Sequence, residues 1–214
     1  RYEFNLINFT TAAEFAKSDI IIMKDNFSLL ATIVAKILGK KIVYVDSMFR
    51  IPRRWWKRWL TRLNLKLADA IVAYSDSQAK LWAKEFNMPA SRFEVMRYTI
   101  DLNFYQPHKA KVSEKPFVMA VGRDTGRDFH VLAEALDGTG IGLKLVTLPY
   151  LIKGLPGKYP WVEVCERLSY NDLFDLYAQA LLVAVPLKPD ISYPSGIRGA
   201  LEAMALGKAT ICTR

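Results

Sequence analysis

The chain has 214 residues, 51% of them apolar and 12% aromatic, enough to bury a sizeable core and too many for a disordered polypeptide. Its 30 Lys/Arg against 21 Asp/Glu give a formal charge of +9, which points to acidic partners: phosphate-bearing ligands, anionic lipid or nucleic acid. Only two cysteines, Cys165 and Cys212, are present; far apart and each inside an apolar run, they exclude a disulfide framework and are expected as buried thiols of a cytoplasmic protein.

The charge is uneven. Residues 1–105 carry 17 Lys/Arg and 10 Asp/Glu, whereas residues 106–214 carry 13 and 11. No apolar run is long enough to span a bilayer, and the longest are broken by Lys36, Lys40 and Lys41. The chain opens at Arg1 without Met and stops straight out of an apolar run, which reads as a piece of something longer.

Short apolar runs then alternate with helix-length amphipathic segments, the pattern of parallel strands joined by crossover helices. Ile20 to Met23 reads as a buried strand, followed by a helix from about Asn26 to Leu38 that stops at Gly39. KIVYV (41–45), AIVAY (70–74) and FEVM (93–96) are further strands, with a helix capped by Ser75 or Asp76 before the last. From Tyr98 to Lys115 periodicity fails and a connector is expected. A second α/β unit follows: strand PFVMAV, a turn at GRDTG, a helix over 128–136, strands LKLVTLP and VEVCERL, a helix capped by Asn171, strand LLVAVP, a helix over 195–206 ended by Gly207, and strand ATICT. The fold class is α/β, with two Rossmann-like domains at 1–105 and 106–214, both incomplete.

Between the second and third strands lies RIPRRWWKRWLTR, six Lys/Arg and three Trp in residues 50–62. Continued as a helix to Leu67, it sets Trp56, Trp59, Leu60, Leu63 and Leu67 on one stripe, expected to face the core. Arg54, Arg58, Arg62 and Lys66 form an i+4 row beside it, and Trp55 falls between the two and is expected to be partly exposed. A face made of Arg54, Trp55, Lys57, Arg58 and Arg62 suits an anionic membrane surface; a solvated basic face without a partner is the alternative. No nucleic-acid motif accompanies it, so nucleic acid is not the expected partner.

Two loops of the second unit offer phosphate chemistry. In AVGRDTGRDF a strand ends at Gly122 and a helix begins near Asp128, so the loop lies at the carboxyl end of a parallel strand, where open α/β sheets bind ligands. Arg123 and Arg127 each present a guanidinium fork to phosphate oxygens, or are solvated arginines of a surface turn. In SGIRGALEAMALGKA, Ser195, Gly196 and Ile197 stand where a helix starts, and its free N–H groups make an anion site. Glu202, two turns on, is either exposed or a carboxylate facing the cleft. HExxH, CxxC and GxxxxGK[ST] patterns are missing, which removes zinc hydrolases and P-loop NTPases.

ADAIVAYSDSQAKLWAKEF, the connector with Ile100, Asp101, Phe104 and Pro107, FVMAVGRDTGRDFHVLAEAL, NDLFDLYAQALLVAVPL and SGIRGALEAMALGKATICT together resemble the retaining glycosyltransferases of family 4, which have the two-Rossmann GT-B fold. The resemblance implies transfer of a sugar from a nucleotide-diphosphate donor to a glycan or lipid-linked acceptor hydroxyl, with retention, no metal and no other cofactor. Arg123 and Arg127 take the places of the Arg and Lys that bind the donor diphosphate. Glu202 matches the second member of a glutamate pair and implies contact with the ribose, and Leu168 falls where backbone meets the base. Position 194, the place of the first glutamate, is Pro; Asp190, Ser192 or Ser195 stand nearby as substitutes. Where relatives carry a histidine after the second strand, this chain has Asp46 and Ser47, while His108 and His130 lie elsewhere. Asp46 is then a turn cap or a sugar-hydroxyl acceptor. A peripheral position on the inner face of the cytoplasmic membrane follows from the same resemblance. A non-catalytic nucleotide-sugar-binding relative and a GT-B epimerase are the competing expectations.

Overall fold

The structure, a computed structural model, describes residues 9–24, 28–46, 51–107, 109, 113–189, 191 and 193–213. The chain divides into two compact units, Arg1–Arg97 with Ser192–Pro194 and Tyr98–Ile191 with Ser195–Arg214. The division falls before the expected boundary at 105 because the end of the connector belongs to the second unit: Tyr105 is buried there, against Phe117, Tyr177 and Ala203.

The first unit contains α1 (Phe9–Lys17), β1 (Ile20–Lys24), α2 (Leu29–Ile37), β2 (Lys41–Asp46), α3 (Trp55–Leu67), β3 (Ala70–Ala73), α4 (Asp76–Glu85) and β4 (Phe93–Val95). Its strands form one parallel sheet in the order β1-β2-β3-β4. Ser28 and Ser75 cap α2 and α4, their hydroxyls accepting the N–H of Ala31 and Gln78 and so satisfying first-turn donors. The core centres on buried Trp82, which meets Phe86 and Phe93 edge-on and packs with Ile42, Tyr44, Leu65 and Ile71. Helix α1 has no counterpart in the sequence expectation.

Helix α3 corrects the expected stripe. Its buried residues are Thr61, Asn64 and Leu65, while Trp56 and Trp59 are 38% and 58% exposed and Trp55 is 79% exposed. The reason lies in the approach of α2. Thr32 donates to Asn64 Oδ1 at 2.5 Å in a buried bond between the two helices, so α3 turns Thr61, Asn64 and Leu65 inward and its indoles outward, while Leu60, Leu63 and Leu67 of the expected stripe are half-buried.

The second unit contains β5 (Phe117–Val121), α5 (Phe129–Leu136), β6 (Gly142–Val146), α6 (Leu155–Lys158), β7 (Val162–Cys165), α7 (Tyr170–Gln179), β8 (Leu182–Val185), α8 (Ile197–Ala205) and β9 (Thr210–Cys212). All strands are parallel, in the order β7-β6-β5-β8-β9. The chain winds one way from β5 through β6 to β7 and the other way from β8 to β9. The topological switch point, where such sheets bind ligands, therefore lies between β5 and β8. Ser169, not Asn171, caps α7, its hydroxyl accepting the Asp172 N–H. Cys165 is half-buried and Cys212 is exposed, contrary to the expected buried thiols; among the described residues β9, which carries Cys212, is the edge strand of the sheet.

Candidate functional site

The loops that follow β5 and β8 are tied together at the switch point. Asp128 N–H donates to Pro186 O at 3.1 Å and Lys188 N–H to Gly126 O at 2.8 Å, and Arg127 and Leu187 form an antiparallel bridge. Both expected phosphate loops, from distant parts of the sequence, are thus fixed against each other.

Arg127 is 6% exposed. Its Nε donates to Asp124 Oδ2 at 3.0 Å, and the other carboxylate oxygen accepts from Ser195 Oγ at 2.8 Å and from Gly126 N–H at 2.9 Å. Asp124 thereby links the β5 loop to the start of α8. Burial raises the pKa of its carboxyl, but the Ser195 hydroxyl, the Arg127 charge and the Gly126 N–H outweigh burial and hold it below the ordinary 3.8. Nη1 of Arg127 is buried and has no hydrogen-bond partner among the described residues, which is costly for a guanidinium.

Two glycines make room for this guanidinium. A Cβ at Gly122 would collide with the Arg127 side chain, and one at Gly196 would collide with Val185 and lie 3.2 Å from Arg127 Nη1. Gly196 is also the N-cap of α8, at φ +80°, a conformation that costs other residues about 1–2 kcal/mol. Nη1 thus borders the first turn of α8, whose free N–H groups and dipole favour an anion. Ile197, half-buried, opens that turn. Buried cation, exposed-end dipole and close backbone approach together form an anion-binding corner.

Glu202 is 5% exposed, which rules out the exposed-helix alternative. Its Oε1 accepts from Tyr105 Oη at 2.9 Å and from Arg198 Nε at 2.7 Å, and its Oε2 accepts from Tyr177 Oη at 3.2 Å. Arg198 Nη2 also donates to Tyr105 Oη at 3.1 Å and reaches Tyr170 Oη at 3.5 Å. Burial, then the Glu202 charge, push the Tyr177 phenol far up. Burial also raises Tyr105, with Glu202 adding to it and Arg198 opposing it. A carboxylate has about four acceptor positions, and three of those on Glu202 are filled by protein donors.

Not every expected residue joins this site. Arg123 is exposed and donates to Glu166 O at 3.1 Å, beside the corner rather than inside it. Leu168 is half-buried and packs on the cluster around Tyr105 and Tyr177. Asp46 is the last residue of β2, paired with Ala73; its side chain, like Ser47, His108, Asp190 and Ser192, lies outside the described residues. On α3, Arg54 and Trp55 are exposed and Lys57 lies over the Trp56 ring at 5.2 Å. Arg58 is instead ion-paired with Glu85, and Arg62 donates to Asn87 O at 3.4 Å. These two therefore bind the end of α4 and do not form a free basic row. Sequence reasoning missed Asp124, Arg198, Tyr105 and Tyr177. Asp124, between two arginines and two residues before a loop glycine, carried the only signal. Among the described residues no three His, Cys, Asp or Glu converge as a metal site, and no helix is long and apolar enough to cross a membrane.

No protein-family model and no curated protein matches the sequence. Solved structures do. HepE from Anabaena, in complex with UDP-glucose, aligns over 95% of this chain and 62% of its own with a TM-score of 0.74 and 19% identity. A glycosyltransferase from Rickettsia africae aligns over 98% and 64%, at 0.73 and 16%. The catalytic domain of starch synthase IV from Arabidopsis thaliana, bound to ADP and acarbose, aligns over 91% and 56%, at 0.66 and 16%. The chain spans less than two thirds of each of these proteins. At these identities the likeness establishes the fold: two Rossmann-like units of the GT-B kind.

Proposed function

We propose that the chain is the greater part of a retaining family 4 glycosyltransferase, moving a sugar from a nucleotide-diphosphate donor to a glycan or lipid-linked acceptor hydroxyl. The observation that carries this reading is the buried Nη1 of Arg127, without a hydrogen-bond partner among the described residues, at the first turn of α8 on the switch point of the second sheet. A guanidinium in that position suits the donor diphosphate, and the fold shared with structures that hold UDP-glucose or ADP supports the choice of ligand.

In this reading Arg127 and the α8 N–H groups meet the charge that builds on the leaving diphosphate when the sugar–oxygen bond breaks, so that no metal and no other cofactor is required. Arg123 lies beside the corner as a second cation for the donor, and Gly122, Ser195, Gly196 and Ile197 shape the backbone around the phosphates. Glu202 faces the ribose, sharing its remaining acceptor capacity, and backbone at Leu168 meets the base. Asp46 acts at the acceptor side. Polysaccharide assembly at the cytoplasmic face of a membrane is the setting that these roles fit.

The test is turnover of a panel of nucleotide-diphosphate sugars with acceptor alcohols, reading the anomeric configuration of the product by NMR. Retained configuration with release of nucleoside diphosphate supports the proposal. Inverted product, or sugar altered without any acceptor consumed, rejects it.

A further inference from the structure

Arg198, the second residue of α8, stands where a cation is costly. It opposes the positive end of the helix dipole, and an Arg four residues before its Glu is the less favourable order of an i,i+4 pair. No acidic residue in the first turn offsets it. Arg127 brings another guanidinium to the same turn, with Nη1 beside Gly196 and Nη2 3.9 Å from where a Cβ on Gly199 would lie.

The two arginines are held in the same manner. Arg127 gives its Nε to Asp124 and Arg198 gives its Nε to Glu202, at 3.0 and 2.7 Å, and neither Nη1 has a hydrogen bond among the described residues. Nη2 of Arg198 donates to Tyr105 Oη at 3.1 Å and reaches Tyr170 Oη at 3.5 Å, which fixes the plane of the fork. The Glu202 side chain is 7% exposed and that of Arg198 54%, so the carboxylate anchors the guanidinium from inside and leaves its free edge outward. Both arginines border one cluster: Tyr177, bonded to Glu202, has its phenol raised by burial and by Glu202, and the charge of Arg127 opposes that rise. A pre-oriented fork with an open edge, at a helix start that already presents Arg127 and free N–H groups, suits a phosphate oxygen.

We propose that Arg198 is a further ligand-binding residue of the corner, and that its free edge holds the phosphate esterified to the ribose. This rests on the donor reading, in which Glu202 faces the ribose: the cation bonded to Glu202 is then nearest to the phosphate that the ribose carries. The ligand's charge offsets the cost of a cation in the first turn, and Tyr105 and Tyr170 act through Arg198 by keeping the fork in one plane.

Arg198→Lys and Arg198→Met test it. Lys keeps a cation for Glu202 but has one nitrogen, so it cannot serve the carboxylate and a phosphate together. UDP, GDP and ADP are titrated first, and whichever binds most tightly is then compared with its own monophosphate. The Met variant should unfold at lower urea than the wild type and the Lys variant close to it. Both should nevertheless bind the diphosphate and the monophosphate at least about tenfold more weakly, by the same factor for each ligand. A Lys variant that binds like the wild type would reduce Arg198 to the counter-ion of Glu202 and overturn the inference. A loss confined to the diphosphate would also overturn it, by placing Arg198 on the outer phosphate. If the wild type binds none of the three diphosphates, the donor reading falls and this inference with it; if Arg127→Ala weakens binding and Arg198→Lys does not, this inference alone falls.

Discussion

The guanidinium of Arg127 is committed at one end and open at the other: Nε lies 3.0 Å from Asp124 Oδ2, and Nη1 is buried beside Gly196 without a hydrogen-bond partner among the described residues. Asp124 thus orients the fork while leaving its far end to a ligand. Arg127→Ala leaves the half-buried Asp124 without its cation and should cost about 3 kcal/mol in urea unfolding of the second unit. In a transfer assay it should also lower kcat about 100-fold, through lost stabilisation of the leaving diphosphate. An unfolding midpoint like that of the wild type would show that the pair is not structural.

Asp124 also sets an acid limit. Its carboxyl is held below the ordinary 3.8 in the fold, so its contribution is fully present above that value and is lost as pH falls through the lowered folded value. Stability of the second unit should drop as pH falls below about 4, and Asp124→Asn should flatten that drop. Calorimetric melts across the range check this; parallel curves for wild type and variant would contradict it.

At the alkaline end Tyr177 governs. Its phenol is raised far above the ordinary 10.0, by burial first and the Glu202 charge second. Its contribution is present in full below pH 10 and declines as pH climbs above it. Tyr177→Phe leaves Glu202 Oε2 without a donor and should cost about 1–3 kcal/mol near neutrality. It should also lose less stability than the wild type between about pH 10 and pH 11, because the titrating phenol is gone. Melting temperatures at the two pH values are the readout.

The glycines separate space from conformation. Gly122→Ala pushes a methyl group into the Arg127 side chain, whereas Gly196→Ala adds positive-φ strain to a clash with Val185. Both should weaken nucleoside-diphosphate binding, and Gly196→Ala should cost the larger stability, about 2 kcal/mol or more. Equal affinity of both variants and the wild type for UDP would remove Arg127 from the binding corner.

Parallel strands were legible because their β-branched runs are short and continuous, and the two loops that meet at the switch point because glycines mark a strand end at Gly122 and a helix start at Gly196. What was not legible depends on side chains meeting across sequence distance. Helix α3 carries a regular stripe of Trp and Leu, yet the Thr32–Asn64 bond across the helix pair reverses which side is buried. Glu202 looks like any helix-favouring residue until Tyr105, 97 positions earlier, brings its hydroxyl to it. Arg58 and Arg62 belong to a basic row in sequence but are bound by the end of α4 in space.

Whether the Arg127 corner holds a nucleoside diphosphate is decided by equilibrium titration of the chain with UDP, GDP and ADP, with and without EDTA. Saturable binding of at least one of them is expected, unchanged by EDTA and at least about tenfold weaker in Arg127→Ala. No binding of any of the three, or equal binding by Arg127→Ala, would contradict it.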